Sequence, residues 1–254
     1  MNGFRTSTFI FMCCAAAVMP TVARAGLMDG SLLHISGDMQ IGAISQTWLC
    51  NQPGDSACTI PPANQGDFAV SASTGSFAEY NSTFGLINDI NNAVQPLNTL
   101  FSLPNFITFD LNSDVTIELT FIPLGNDPVS ATCAGLSSCT PQNNLLITPS
   151  NPLGLSAYDL DQNLTGTALT FGVNGIVHQA GGATANLSGL YTMEFVGLNP
   201  QQVLALTIGG SNVTYSANLS LPGTLTSAPE PGSMLLSAIG LLGLALAGSR
   251  VRRS

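Results

Sequence analysis

Between Gly26 and Ala228 the chain contains no lysine and no arginine. All five basic residues, Arg5, Arg24, Arg250, Arg252 and Arg253, lie near the two ends of the 254-residue sequence. The same central stretch holds thirteen of the fourteen acidic residues, so its formal charge is −13 where the whole chain shows −9. This excludes nucleic-acid binding, which needs a cationic face to displace counterions from phosphates. It also excludes phosphate sites built on Arg or Lys. A field of this sign repels acidic polysaccharide and anionic lipid unless divalent cations bridge them.

Catalytic side chains are scarce as well. The central stretch has two histidines, His34 and His178, and three glutamates, Glu79, Glu118 and Glu194. No G-x-S-x-G elbow or H-E-x-x-H motif is present. Each histidine reads as a strand residue with a satisfied ring. Glycoside hydrolysis needs two carboxyl groups facing each other across a cleft. Glu118 and Glu194 instead sit in alternating strands, where the side chain points to solvent. The chain is therefore read as non-catalytic, with a secreted glycan hydrolase as the third-ranked alternative. Aromatics are few too: Trp48, Tyr80, Tyr158, Tyr191 and Tyr215 are the scattered contributors available to a sugar-stacking platform.

The two ends carry the most specific signals. Arg5 precedes an apolar run from Thr8 to Val18, and Ala23-Arg24-Ala25 forms an A-x-A cleavage site. Residues 1–25 therefore read as a signal peptide removed by signal peptidase, with the mature chain starting at Gly26. Cys13 and Cys14 fall inside it, and neither follows the small residue that a lipoprotein signal needs. At the other end, Pro229-Glu230-Pro231 precedes an uncharged run from Gly232 to Ser249, then Arg250, Arg252 and Arg253. A helix over Ser233–Ser249 is about 25 Å long, slightly short for a hydrocarbon core of about 30 Å. The terminal arginines resist translocation, so the tail is predicted to be a single transmembrane helix in the inner membrane.

This order of elements resembles the PEP-CTERM sorting signal of Gram-negative bacteria. The resemblance implies recognition, and cleavage at the PEP segment, by exosortase, a membrane-embedded cysteine protease or transpeptidase. It covers about the last tenth of the chain. The centre is loosely similar to uncharacterised exported β-rich proteins with the same tail. The resemblance also implies a cell surface or matrix where extracellular polysaccharide is made.

Cys50, Cys58, Cys133 and Cys139 remain after signal removal. Four cysteines in an oxidising compartment suggest two disulfides with three possible pairings. Close spacing favours Cys50–Cys58 and Cys133–Cys139. Each closes a short loop, for about 2–3 kcal/mol on the chain-entropy estimate. Neither interval is a zinc-finger spacing.

Period-two alternation dominates residues 26–221, which are read as one all-β domain. Phe106–Leu111 and Val115–Ile122 flank Asn112-Ser113-Asp114 and read as a hairpin. Thr165–Val173 and Ile176–Gln179 flank Asn174-Gly175, a dipeptide favoured in type I′ turns. Leu187–Val196 and Asn212–Leu221 read as strands, with more expected over Leu32–Ile44 and Phe68–Phe77. Asn199-Pro200 opens a short helix over Gln201–Ile208, closed by Gly209-Gly210. Phe84–Leu97 reads as a second helix or an irregular crossover. The expected architecture is an antiparallel β-sandwich or jelly roll with one or two short helices. Residues 222–228 form a linker and residues 229–254 the sorting signal.

Two segments space oxygen side chains as calcium ligands are spaced. These are Asp159, Asp161 and Asn163, and more weakly Asp110, Asn112 and Asp114. The competing reading is Asx-rich turn chemistry. Asn81, Asn163, Asn186, Asn212 and Asn218 each begin N-x-[ST], which in a bacterium reflects an amide- and hydroxyl-rich surface. The sequence thus describes an exported, non-catalytic surface or matrix protein. A calcium-dependent binding module for extracellular polysaccharide is the runner-up.

Overall fold

The computed structural model describes residues 26–51, 58 and 64–222. Thirteen strands follow one another: β1 Leu32–Ile41, β2 Ser45–Trp48, β3 Gln65–Val70, β4 Phe84–Asn88, β5 Ile90–Asn91, β6 Leu103–Phe109 and β7 Val115–Phe121, then β8 Val129–Ser130, β9 Ser138–Pro141, β10 Tyr158–Gln162, β11 Gly166–Gln179, β12 Thr184–Val196 and β13 Ser211–Ser220. One α-helix is found among the described residues, α1 (Pro200–Ile208), between β12 and β13.

Eight of these strands close into an antiparallel barrel in the order β1-β3-β4-β6-β7-β11-β12-β13. The seam is made by β13, which pairs with β12 on one side and β1 on the other. The expected all-β antiparallel class is what the chain adopts. The sandwich or jelly-roll arrangement is not, because the joined edges leave one continuous wall. Alternation with period two is the same in both architectures, so it does not distinguish them.

The alternation also fixes which way the wall faces. Leu33, Ile35, Met39 and Ile41 of β1 point inward and are essentially unexposed, while Asn212, Thr214, Ser216 and Asn218 of β13 lie on the exposed outer face. An apolar interior with a polar exterior is the reverse of a barrel that crosses a bilayer. At eight strands the lumen is just wide enough for side chains to fill. Trp48 meets Phe106, Tyr191 and Tyr215 edge-on, with centroids 5.6, 6.0 and 6.5 Å apart. Phe171 stacks on Tyr191 at 4.8 Å. Nearer the chain termini, Tyr80 stacks on Phe109 at 4.1 Å, with Phe68 and Phe77 beside them. Each such ring contributes about 1.5–3 kcal/mol of burial.

The two ends of the barrel differ in how they are connected. At one end lie the links 110–114 between β6 and β7 and 180–183 between β11 and β12, both short, and the longer 71–83 between β3 and β4, which carries a 3-10 turn over Gly75–Tyr80. The chain termini emerge at this same end. Gly30 N–H donates to the Leu221 carbonyl (3.1 Å) and Leu221 N–H to the Ser31 carbonyl (3.0 Å). All four long excursions lie at the far end: residues 42–64 with β2, 89–102 with β5, 122–165 with β8 to β10, and 197–210 with α1.

Local readings fare differently. The β6–β7 hairpin forms with Thr108 opposite Thr116. The predicted helix over Gln201–Ile208 forms too. Asn199 accepts from the Gln202 N–H (3.0 Å), Gln202 accepts from the Asn199 N–H (3.0 Å), and Pro200 begins the first turn. Asn174-Gly175, in contrast, is not a turn. β11 runs straight through it with a register shift against β7, and an added Cβ at Gly175 would collide with the Glu118 carbonyl. The reversal comes at Gly181 and Gly182, whose φ values of 103° and 92° suit glycine. Phe84–Leu97 is not helical either. It holds β4, β5 and a turn. The predicted transmembrane helix lies outside the described residues, among which no helix is long and apolar enough to cross a membrane.

Candidate functional site

The outer wall carries a groove of about 580 Å³ over the β11 bulge. Phe101 and Phe121 supply half-exposed rings, Asn174 and Asn186 amides, and Thr120 and Ser188 hydroxyls. The bulge creates the concavity by breaking the β7–β11 register at Asn174/Gly175, while Thr120 Oγ1 donates to the Asn174 carbonyl at 3.3 Å. Pro222, the last described residue, forms part of the rim.

Beside this groove Glu118 and His178 meet on the outward face, His178 Nε2 lying 2.9 Å from Glu118 Oε2. The Glu118 carboxyl is held below its ordinary value of 4.5, first by a hydrogen bond from Ser102 and then by one from His178. The acid therefore sits between hydroxyl and imidazole. In a nucleophilic triad the imidazole lies between the other two. Ser102 was not visible as a partner in the sequence, because it belongs to no motif. Barrel pairing brings it beside Glu118.

The far end carries a second groove of about 480 Å³ between α1 and the β8–β10 excursion, lined only by uncharged residues, among them Gln142, Asn143, Leu145 and Ile208. Tyr158 forms its floor, and burial raises that phenol's pKa against the opposing bond with Thr207.

Of the candidate calcium residues, Asp110, Asn112 and Asp114 lie in the link between β6 and β7, and Asp159, Asp161 and Asn163 lie in and just after β10. The Asp159 carboxylate accepts from Asn126 N–H (3.1 Å), from Asp127 N–H (3.3 Å) and from the Thr140 hydroxyl. It thus ties residues 125–127 to β9. Asn163 Oδ1 accepts from the N–H groups of Thr165 and Gly166, both at 2.9 Å, and its amide donates to Glu194 at 3.1 Å. Asp161 is half-buried in β10. The turn chemistry that competed with calcium in the sequence is thus present at Asn163. Among the described residues no group of three or more His, Cys, Asp or Glu could hold a metal ion.

The aromatic platform does not form from the residues named for it. Trp48, Tyr80, Tyr158, Tyr191 and Tyr215 are all buried. Trp48 points into the barrel. Both expected cysteine pairs are at bonding distance, with Cα–Cα separations of 5.6 Å for Cys50–Cys58 and 5.8 Å for Cys133–Cys139. Each closes a loop in a far-end excursion. Gly26 is exposed beside the buried Leu27. Ala23, Ala25, Pro229, Glu230, Pro231, Arg250, Arg252 and Arg253 lie outside the described residues.

Comparison with known proteins matches the PEP-CTERM protein-sorting motif to residues 227–253. No curated protein and no solved structure matches the chain. The motif implies an exported protein that undergoes membrane-associated sorting and processing by exosortase and then reaches the surface.

Proposed function

We propose, from the premise that this is a PEP-CTERM protein, that its mature barrel is a non-catalytic component of the cell surface or extracellular matrix. The observation that carries the reading is the sorting motif at residues 227–253. The fold supports it in two ways. The barrel interior is filled by its own rings, so it forms a rigid body in place of a ligand cup. The polar groups that suggested chemistry are engaged with one another: Asp159 with three donors, Glu118 with Ser102 and His178. Deleting the exosortase gene tests this reading. The protein should accumulate in the inner-membrane fraction with its tail attached, and equal surface display in the deletion strain would refute it.

A second reading is favoured by the wall groove. Half-exposed Phe101 and Phe121 beside Asn174, Asn186 and Ser188 suit stacking and hydrogen bonding to a neutral polysaccharide, and no cation is available to attract an acidic one. Phe121→Ala should then abolish retention on neutral extracellular polysaccharide while leaving the melting profile intact. Retention unchanged by that substitution would remove the groove from consideration.

A further inference from the structure

Five asparagines begin N-x-[ST], the pattern at which an amide nitrogen is joined to a sugar. The fold separates one of them from the rest. Asn186, Asn212 and Asn218 lie inside β12 and β13, paired across to Ile176, Gln40 and His34. Residues two apart in a strand stand about 6.6 Å from each other on one face, so the following hydroxyl does not fold back onto the amide. The Ser188 and Ser220 hydroxyls bond each other instead, at 3.4 Å. Asn81 is half-buried and both ends of its amide are engaged, accepting from the Ser73 N–H (2.7 Å) and donating to the Ser73 carbonyl (2.9 Å). The Thr83 hydroxyl donates to the Tyr80 carbonyl at 2.6 Å.

Asn163 differs on each count. It opens the turn from β10 into β11, where Gln162, Asn163, Leu164 and Thr165 are exposed in succession and Leu164 is 106% exposed. Here the following hydroxyl does reach back. Thr165 Oγ1 donates to Asn163 Oδ1 at 2.9 Å, and the N–H groups of Thr165 and Gly166 donate to the same oxygen at 2.9 Å. Three donors on the carbonyl oxygen favour the form of the amide that has given up a proton from nitrogen. Glu194 Oε2 lies 3.1 Å from Asn163 Nδ2 and accepts one of its hydrogens. Asp161, in register with Ala168 and through it with Glu194, adds a second carboxylate beside the turn.

We infer that Asn163 is an N-glycosylation site. The donor is an oligosaccharide carried on a lipid pyrophosphate. The partner is a transferase with a cationic acceptor surface, which suits a turn flanked by Asp161 and Glu194. Asn163 Nδ2 forms a bond to the anomeric carbon of the first sugar. The bond from that carbon to the pyrophosphate oxygen breaks, and its electron pair leaves on the pyrophosphate. The Nδ2 proton passes to a carboxylate, for which Glu194 is placed. Of the functional reading only export is needed, which the sorting motif implies, and release of the tail is not.

Peptide mass spectrometry on protein recovered from the cells that make it tests this. The chymotryptic peptide containing Asn163 should carry a sugar mass that survives mild alkali, which strips glycans from Ser and Thr hydroxyls but not from amides. Asn81, Asn186, Asn212 and Asn218 should be bare. Thr165→Ala should lose the modification and Thr165→Ser should keep it, with circular dichroism showing both variants folded. A bare Asn163 in the wild-type protein would overturn the assignment, whatever the variants do. So would sugar on one of the other four asparagines in its place, or sugar that persists at Asn163 in folded Thr165→Ala.

Discussion

Replacing Asp159 with alanine tests whether that carboxylate is a loop clamp or a metal ligand. Its acceptor oxygens serve Asn126 N–H, Asp127 N–H and the Thr140 hydroxyl. Hydrogen bonds to a charged group contribute about 1.5–3 kcal/mol each, so an undiscounted sum is about 5–9 kcal/mol. Asn126 is exposed and Asp127 half-buried, so water replaces much of what those two lose, while the fully buried Thr140 hydroxyl keeps its penalty. The expected loss is about 2–3 kcal/mol, or about 5–10 °C in Tm for a domain of this size. Asp159→Asn keeps one acceptor oxygen and should lose about 1 kcal/mol. The assay is thermal unfolding under oxidising conditions, with and without millimolar calcium. The clamp account predicts the same loss in both. A calcium-induced rise in the wild-type Tm that vanishes in Asp159→Ala would refute it and restore the metal reading.

Tyr191 is fully buried and its hydroxyl has no hydrogen-bond partner among the described residues. Tyr191→Phe should therefore raise stability by about 1 kcal/mol in denaturant unfolding, and a loss of that size would show that the hydroxyl is bonded. Gly175→Ala, which places a methyl against the Glu118 carbonyl, should cost about 1–3 kcal/mol, and an unchanged midpoint would refute the close approach. Glu118 has its pKa lowered in the folded state, so its contribution is present above about pH 4.5 and is lost as the pH falls through the lowered value. Glu118→Gln should flatten the wild-type loss of stability in that acid window, and an unchanged acid limb would dismiss the Ser102 and His178 bonds. Trypsin should leave the reduced, unfolded mature domain uncut while chymotrypsin fragments it, because no Lys or Arg lies between Gly26 and Ala228.

What the sequence revealed and what it concealed divide along physical lines. Alternation and caps are local, so the β6–β7 hairpin and α1 were legible from Asn112-Ser113-Asp114 and from Asn199-Pro200. Barrel closure depends on β13 meeting β1 across nearly the whole domain, and no periodicity records that. Asn174-Gly175 misleads because glycine has two uses. Here it permits close strand approach at a bulge, while Gly181 and Gly182 make the turn. Asp159 and Asp161 show the same ambiguity, since two acids spaced two apart are also same-face residues of a strand. The cysteine pairs were legible because both loops are short. Ser102 comes beside Glu118 only when the start of β6 pairs with β7, and the wall groove arises only when β7 and β11 are brought together. The sorting motif was readable in full because its recognition depends on linear order, not on fold.

The central claim is that an acidic barrel is exported and released from its own tail at the PEP segment. Intact-mass measurement of the protein recovered from the cell surface addresses this directly. The account predicts a species that begins at Gly26 and ends within or next to Pro229–Pro231, with both cysteine pairs oxidised. A surface species that still ends at Ser254 would contradict it.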